Sequence, residues 1–369
     1  MLTRILQRAA VLLLIAVPAT AAVYPRANIK PFVVDNQDYR LQCQLNQIPG
    51  SSTVVLFLHG TGVQDRWETA PGNLTLDGAP ASLFKPISDE LNRRGISTIV
   101  YDKRGFRERG SFAETEALTS STFENLEGDA RRVLTYAQAL PGVQKICMVG
   151  VAEGAVIASE LSFERKDDSP LSSLVLLGVL ASNLKDNLRY QAIGGVIRRI
   201  FQVADKDGDL KLEAREIPSN LSLAALDTDK KGFLLPADFE RELEPKWVKF
   251  ERSIEDARPE TLIDGHPAAW YQQMFARKSL DRRAEEFNLP VYLVHGELDL
   301  DEPYVANAVS LYDHITAAKG EVRLRSFPTY GHCFSPNKDG VPTYGPIRSD
   351  AVRAIVQDVI DGTDPHGNK

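Results

Sequence analysis

Cysteine is scarce. Cys43, Cys147 and Cys333 are the only three in 369 residues, too few and too scattered for a disulfide framework or a zinc site. One disulfide at most could form, and the sequence does not single out the pair. A basic excess is missing too. The formal net charge is −7, and the acids gather locally, most densely in Asp205-Lys206-Asp207-Gly208-Asp209. That argues against a nucleic-acid partner, which would show a basic patch or stripe. Beyond the N-terminus no stretch approaches the ~20 apolar residues of a transmembrane helix. No stable membrane insertion is therefore expected once the N-terminal segment is removed.

What is present reads as a folded protein. Hydrophobic residues make up 43% and charged residues 25% of the chain, a composition able to build a proper core. The length suits one large α/β domain with an insertion, or two ordinary domains. At the N-terminus, Arg4 and Arg8 precede the apolar run from Ala9 to Val17, followed by Pro18-Ala19-Thr20-Ala21-Ala22. A basic region, a short apolar stretch and a small-residue site of A-x-A type make a signal peptide over 1–22. An uncleaved anchor is the alternative, disfavoured by the shortness of the run. The expected location is secreted or periplasmic.

Short β-type runs at 40–46, 53–58, 97–101, 145–149, 173–177, 291–294 and 321–327 alternate with helical patterns. This rhythm predicts a mostly parallel sheet with helices on both faces. Val54-Val55-Leu56-Phe57-Leu58 and Leu174-Val175-Leu176-Leu177 are apolar without alternation, as in strands buried on both faces. Between about 182 and 289 the rhythm breaks into a charged stretch without strand runs. The expected order is a core part at 23–181, a cap insertion at 182–285, a second core part at 286–362 and a disordered tail at 363–369. The cap should lie over the carboxyl edge of the sheet, where ligands bind in open α/β folds.

The chemistry-bearing residues follow one order. Gly150-Val151-Ala152-Glu153-Gly154 stands between a strand and a helix, the setting of the G-x-S-x-G turn that lifts a nucleophile above a sheet. After the run at 291–294 comes His295-Gly296-Glu297-Leu298-Asp299, and after 321–327 comes Tyr330-Gly331-His332. Elbow, acid, histidine is the order in which such a triad is laid out. Asp299 is the expected orienting acid, with Asp301 its possible substitute, and His332 the general base. His59-Gly60-Thr61-Gly62 follows the run at 53–58. A Gly-rich loop there supplies one oxyanion N–H, from Thr61, and the residue after the nucleophile, Glu153, supplies the other. Trp67, Trp270, Tyr271 and Phe275 are candidate pocket walls, with core packing an equal reading of each.

Together with Tyr101-Asp102-Lys103-Arg104-Gly105, these segments resemble the α/β-hydrolase superfamily, within it the serine-aminopeptidase-like and esterase-like group. The resemblance covers roughly 30–180 and 285–362. It implies hydrolysis of an ester, amide or thioester by a Ser-His-Asp triad without a cofactor. The chain departs from it at the decisive residue, because Ala152 stands where serine is expected. Alanine offers nothing to attack a carbonyl with. Neither Glu153, on the helix, nor Cys333, beside His332, is placed to replace it. Two readings follow: an otherwise active enzyme carrying an introduced alanine, or a chain that has lost catalysis and keeps its pocket for binding.

The insertion carries two acidic loops at about 196–245. In Asp205-Lys206-Asp207-Gly208-Asp209-Leu210-Lys211-Leu212-Glu213-Ala214-Arg215-Glu216, Asp205, Asp207 and Asp209 fall at loop positions 1, 3 and 5. Lys211 provides a backbone carbonyl at 7, Glu213 a water-linked ligand at 9 and Glu216 a bidentate one at 12, the plan of an EF-hand calcium loop. Leu210 replaces the glycine of position 6, at a cost of about 1–2 kcal/mol if it turns left-handed. The second loop offers Asp227, Asp229, the Phe233 carbonyl and Asp238, keeps Gly232 at position 6 and places Lys231 at position 5. The two loops resemble the short-linker EF-hand pairs of bacterial exported proteins, with Ca2+ as a staple for the cap.

Overall fold

The computed structural model describes residues 26–36, 39–75, 78–106, 115–219, 221–336 and 344–364. The signal segment at 1–22 lies outside them. Eight strands form the main sheet: β1 (Asn28–Asn36), β2 (Tyr39–Gln47), β3 (Thr53–Leu58), β4 (Ser97–Tyr101), β5 (Lys145–Val151), β6 (Leu171–Leu177), β7 (Val291–Gly296) and β8 (Val322–Phe327). Their spatial order is β1-β2-β4-β3-β5-β6-β7-β8. β1 and β2 run antiparallel to each other, β2 runs antiparallel to β4, and the remaining pairings are parallel. Every run expected from the sequence is a strand. β1 is an addition, because most of it is exposed at the sheet edge and carries no buried apolar pattern.

Alternate residues of β3 enter opposite cores, as the two-residue period of a strand dictates. Val54, Leu56 and Leu58 pack on one face with α2 (Phe123–Gln138) and α3 (Glu153–Phe163). Val55 and Phe57 pack on the other, with α1 (Phe84–Arg93) and the C-terminal helix Ser349–Thr363. α2 starts where Thr122 caps it by accepting from the Asn125 N–H. It ends before Gly142, whose φ of +78° suits glycine. The tail was expected to begin at 363, but the last helix includes Thr363, which is buried and whose Oγ1 donates to the Val359 carbonyl. Residues 365–369 lie outside the described set.

The insertion joins β6 to β7. It begins with α4 (Leu184–Arg189), capped by the Asn183 side chain, which runs through a π-helical turn at Tyr190–Gly194 into α5 (Gly195–Ala204). α6 (Pro236–Glu255) and α7 (Ala268–Ala276) follow. Two short ribbons interrupt the helices, pairing Leu212–Glu213 with Phe233–Leu234 and Leu262–Ile263 with His266–Pro267. Ile193, Ile197, Phe201, Leu212, Leu234, Phe239 and Trp247 give this region an apolar core of its own. Among the described residues no helix is long and apolar enough to cross a membrane.

Candidate active site and acidic loops

Ala152 joins β5 to α3 at φ +48°, ψ −110°, a backbone state that an L-residue holds only under strain. Close packing enforces the turn. A Cβ on Gly150 would stand 2.3 Å from the Gly154 carbonyl oxygen, and one on Gly154 would stand 2.2 Å from that of Leu58. Glu153 is the first residue of α3, where a backbone N–H has no acceptor within the helix. Its side chain turns inward. It is fully buried, 3.1 Å from Lys103 Nζ, and accepts from Trp270 Nε1 at 3.2 Å. Lys103 also donates to the Gly60 carbonyl at 2.5 Å, tying the Gly-rich loop to the elbow helix.

The loops after β7 and β8 meet because Gly296 lets them: a Cβ there would lie 2.4 Å from the Tyr330 carbonyl oxygen. His332 Nδ1 donates to Asp299 Oδ2 at 2.8 Å. Asp299 Oδ1 accepts the N–H groups of Asp301 and Glu302, each at 2.9 Å. Burial opposes ionisation of Asp299, yet His332 and these donors hold its carboxyl below the usual range. Asp301 has a carboxylate oxygen within 4.8 Å of Asp299 and His332 but is hydrogen-bonded to other groups. Its carboxylate accepts from Tyr344 Oη at 3.3 Å, and its carbonyl takes Asn187 Nδ2 and Gln191 Nε2 from the insertion. Asp299, not Asp301, is the partner of the histidine.

Ala152 and His332 line one cavity of about 220 Å³, together with Gly60, Thr61, Leu180, Trp270 and Cys333. That is below the usual ~300–1,000 Å³ of ligand pockets and fits a short group. Of the four aromatic wall candidates only Trp270 lines it. Tyr271 and Phe275 belong to the core shared by the sheet and the insertion, and Trp67 packs against the other core. All three cysteines are free, and desolvation pushes the Cys333 thiol up to about 12, far from a thiolate.

Three groups at this site were not foreseen. Glu302 is buried, with Oε2 2.9 Å from His332 Nδ1. Gly178, at φ +48°, leaves room for the triad pair, since a Cβ there would lie 3.1 Å from the His332 ring. Glu68 receives the Gly60 N–H on both oxygens at 3.3 Å, and desolvation raises its carboxyl to about 8. The run of acids in Glu297-Leu298-Asp299-Leu300-Asp301-Glu302 was the one available signal for the first. Nothing in the sequence marked the other two.

In the first acidic loop, oxygens of Asp205, Asp207 and Asp209 lie within 4.8 Å of one another. Asp205 accepts the N–H groups of Gly208 and Leu210, and Glu216 closes the loop on those of Lys206 and Glu213. Leu210 takes the left-handed turn at φ +61°. Lys211 and Arg215 touch Asp209 and Asp207 at 3.3 and 3.8 Å through half-exposed or exposed side chains. This donor set fits a hard cation that takes oxygen ligands. The second loop does not fit one. Lys231 Nζ lies 2.5 Å from Asp229, 3.1 Å from Asp238 and 3.6 Å from Asp227, so an ammonium already occupies the centre of its carboxylates. The ribbon joins the loops, with Leu212 opposite Leu234 and Phe233 opposite Glu213.

The strand order, the strained elbow and the Asp–His pair define an α/β-hydrolase fold. A family model described as serine aminopeptidase, S33, matches residues 79–337, and the chain belongs to that family. Esterase EstD of Thermotoga maritima is 24% identical over 186 residues, 47% of this chain and 41% of that protein. The chain thus spans about two fifths of the length of that curated relative. Est1E from Butyrivibrio proteoclasticus, solved with ferulic acid bound, superposes with a TM-score of 0.54 at 15% identity, covering 90% of this chain and 98% of Est1E. Proline iminopeptidase from Mycobacterium smegmatis gives 0.50 at 15% identity, over 90% of this chain and 99% of that one. Likeness at these identities speaks for the fold.

Proposed function

We propose that this is an exported hydrolase-fold protein that takes a small acyl compound (an ester, amide or thioester, or the acid it contains) beneath a calcium-stapled cap. With Ala152 in place it does not turn that compound over through a serine nucleophile. The carrying observation is that Ala152, in a strained elbow, and His332, hydrogen-bonded behind to Asp299, line the same small cavity. The oxyanion donors in this reading are the Thr61 and Glu153 N–H groups. In a triad the histidine removes the proton of the nucleophile and the acid orients the ring. The Asp299–His332 hydrogen bond at 2.8 Å supports these roles, and a serine at position 152 would supply the missing hydroxyl. The ferulic acid of the Est1E structure supports an acyl ligand of modest size.

Calcium belongs to the first loop, held by Asp205, Asp207, Asp209, the Lys211 carbonyl and Glu216. Bound there, it neutralises acids that otherwise repel one another and fixes the ribbon on which the cap core rests. Export rests on the N-terminal segment 1–22. The test is hydrolysis of short-chain aryl esters by the mature chain and by Ala152→Ser, with calcium present, over pH 6 to 10. The serine form should be faster by ~10³-fold or more, since triad members act as a unit. If both forms stay inert while folded, the acyl-hydrolase reading is lost and a pure binding role takes its place.

A further inference from the structure

Two carboxylates share one nitrogen of His332. Asp299 Oδ2 takes the aligned hydrogen bond at 2.8 Å, and Glu302 Oε2 stands at 2.9 Å as an ion-pair contact. Glu302 is not free to swing away. Its N–H donates to Asp299 Oδ1, its carbonyl accepts His295 Nε2–H at 2.7 Å, and its side chain is buried. One acid suffices to orient a catalytic imidazole. A second anion on the same Nδ1 holds the ring from another side and strongly favours its charged form.

We propose that Glu302 is a second positioning residue for His332, and that with Asp299 it keeps the ring an imidazolium through neutral pH. Nε2–H then serves the pocket as a donor for an acyl oxygen, and a base appears only in alkaline solution. The catalytic consequence rests on the hydrolase reading above; the protonation state does not. The other titratable groups around the ring are Asp301, Glu68, Tyr344, Cys333 and His295. Burial works against the imidazolium, but Asp299 and Glu302 outweigh it and hold His332 well above the ordinary histidine range. Glu302 itself is pushed up by burial to about 7, despite the nearby positive ring.

The imidazole resonances can be followed by 1H–15N NMR from pH 5 to 9.5 in the natural chain and in Glu302→Gln, with the His332 signal assigned by its loss in His332→Asn. The natural chain should keep His332 protonated beyond pH 8, and the midpoint in Glu302→Gln should fall by about one to two units. An ordinary midpoint near ~6.5 in the natural chain overturns the proposal without any variant. So does an unchanged midpoint in a folded Glu302→Gln. In the Ala152→Ser background, Glu302→Gln should move the alkaline rise of kcat/KM to lower pH. Inert Ala152→Ser would count against the hydrolase reading, while the NMR titration still decides the role of Glu302.

Discussion

Lys231 Nζ stands 3.1 Å from each carboxylate oxygen of Asp238, the place from which a position-12 acid would grip a cation. With Asp229 at 2.5 Å, the lysine makes the second loop self-neutralising. Asp238 Oδ2 is also committed to the Leu235 N–H at 2.8 Å, where it starts α6. Calorimetric titration should therefore find one calcium per chain, lost in Asp205→Ala. Lys231→Asp removes the internal cation and restores an acid at position 5, and it should bind a second calcium. Two sites in the natural chain would sink the idea, as would a Lys231→Asp protein that gains none.

The elbow stores strain at Ala152, a residue whose side chain carries no nucleophilic atom. Ala152 holds φ +48°, a state that glycine reaches without steric cost. Strain of this kind costs about 1–3 kcal/mol, and glycine's extra chain entropy returns ~0.5–1 of that. Ala152→Gly should accordingly stabilise the fold by about 1 kcal/mol. Urea unfolding monitored by tryptophan fluorescence measures it. A glycine variant that is less stable than its parent would mean that packing around the alanine methyl outweighs the backbone strain.

Strands buried on both faces announce themselves, because they carry continuous apolar runs. Thr53–Leu58 and Ser97–Tyr101 are legible for that reason, as is the order of elbow, acid and histidine. β1 is not, since an edge strand with exposed residues has no such constraint. The segment Tyr101-Asp102-Lys103-Arg104-Gly105 was recognisable, but its work was not. Asp102 binds Arg66 at 2.6 Å, Lys103 joins Glu153 to Gly60, and Arg104 forms a two-pronged pair with Asp129 at 2.8 and 3.0 Å. These partners lie 25 to 50 residues away in the chain, beyond the reach of any local pattern. Glu302 hid for the opposite reason: it sits three residues from Asp299, and only the fold of the loop turns both acids onto one ring nitrogen.

Glu68 makes stability depend on pH in a direction opposite to that of most paired carboxylates. Its ordinary pKa of 4.5 is raised to about 8, chiefly by desolvation, with Lys103 and the Gly60 N–H pulling the other way. Between those values the unfolded chain has released a proton that the folded chain retains. The folded state then binds more protons, so the contribution of Glu68 to stability falls as pH climbs from about 4.5 to about 8. Glu68→Gln cannot ionise and keeps an oxygen to accept from Gly60. Its stability relative to the natural chain should be nearly level at pH 4.5 and rise steadily towards pH 8. The comparison isolates Glu68 from Glu302, whose raised carboxyl acts in the same direction in both proteins. Urea denaturation at four pH values across the window would show the diverging curves, whereas parallel curves would mean that the Glu68 carboxyl is already ionised in the folded protein.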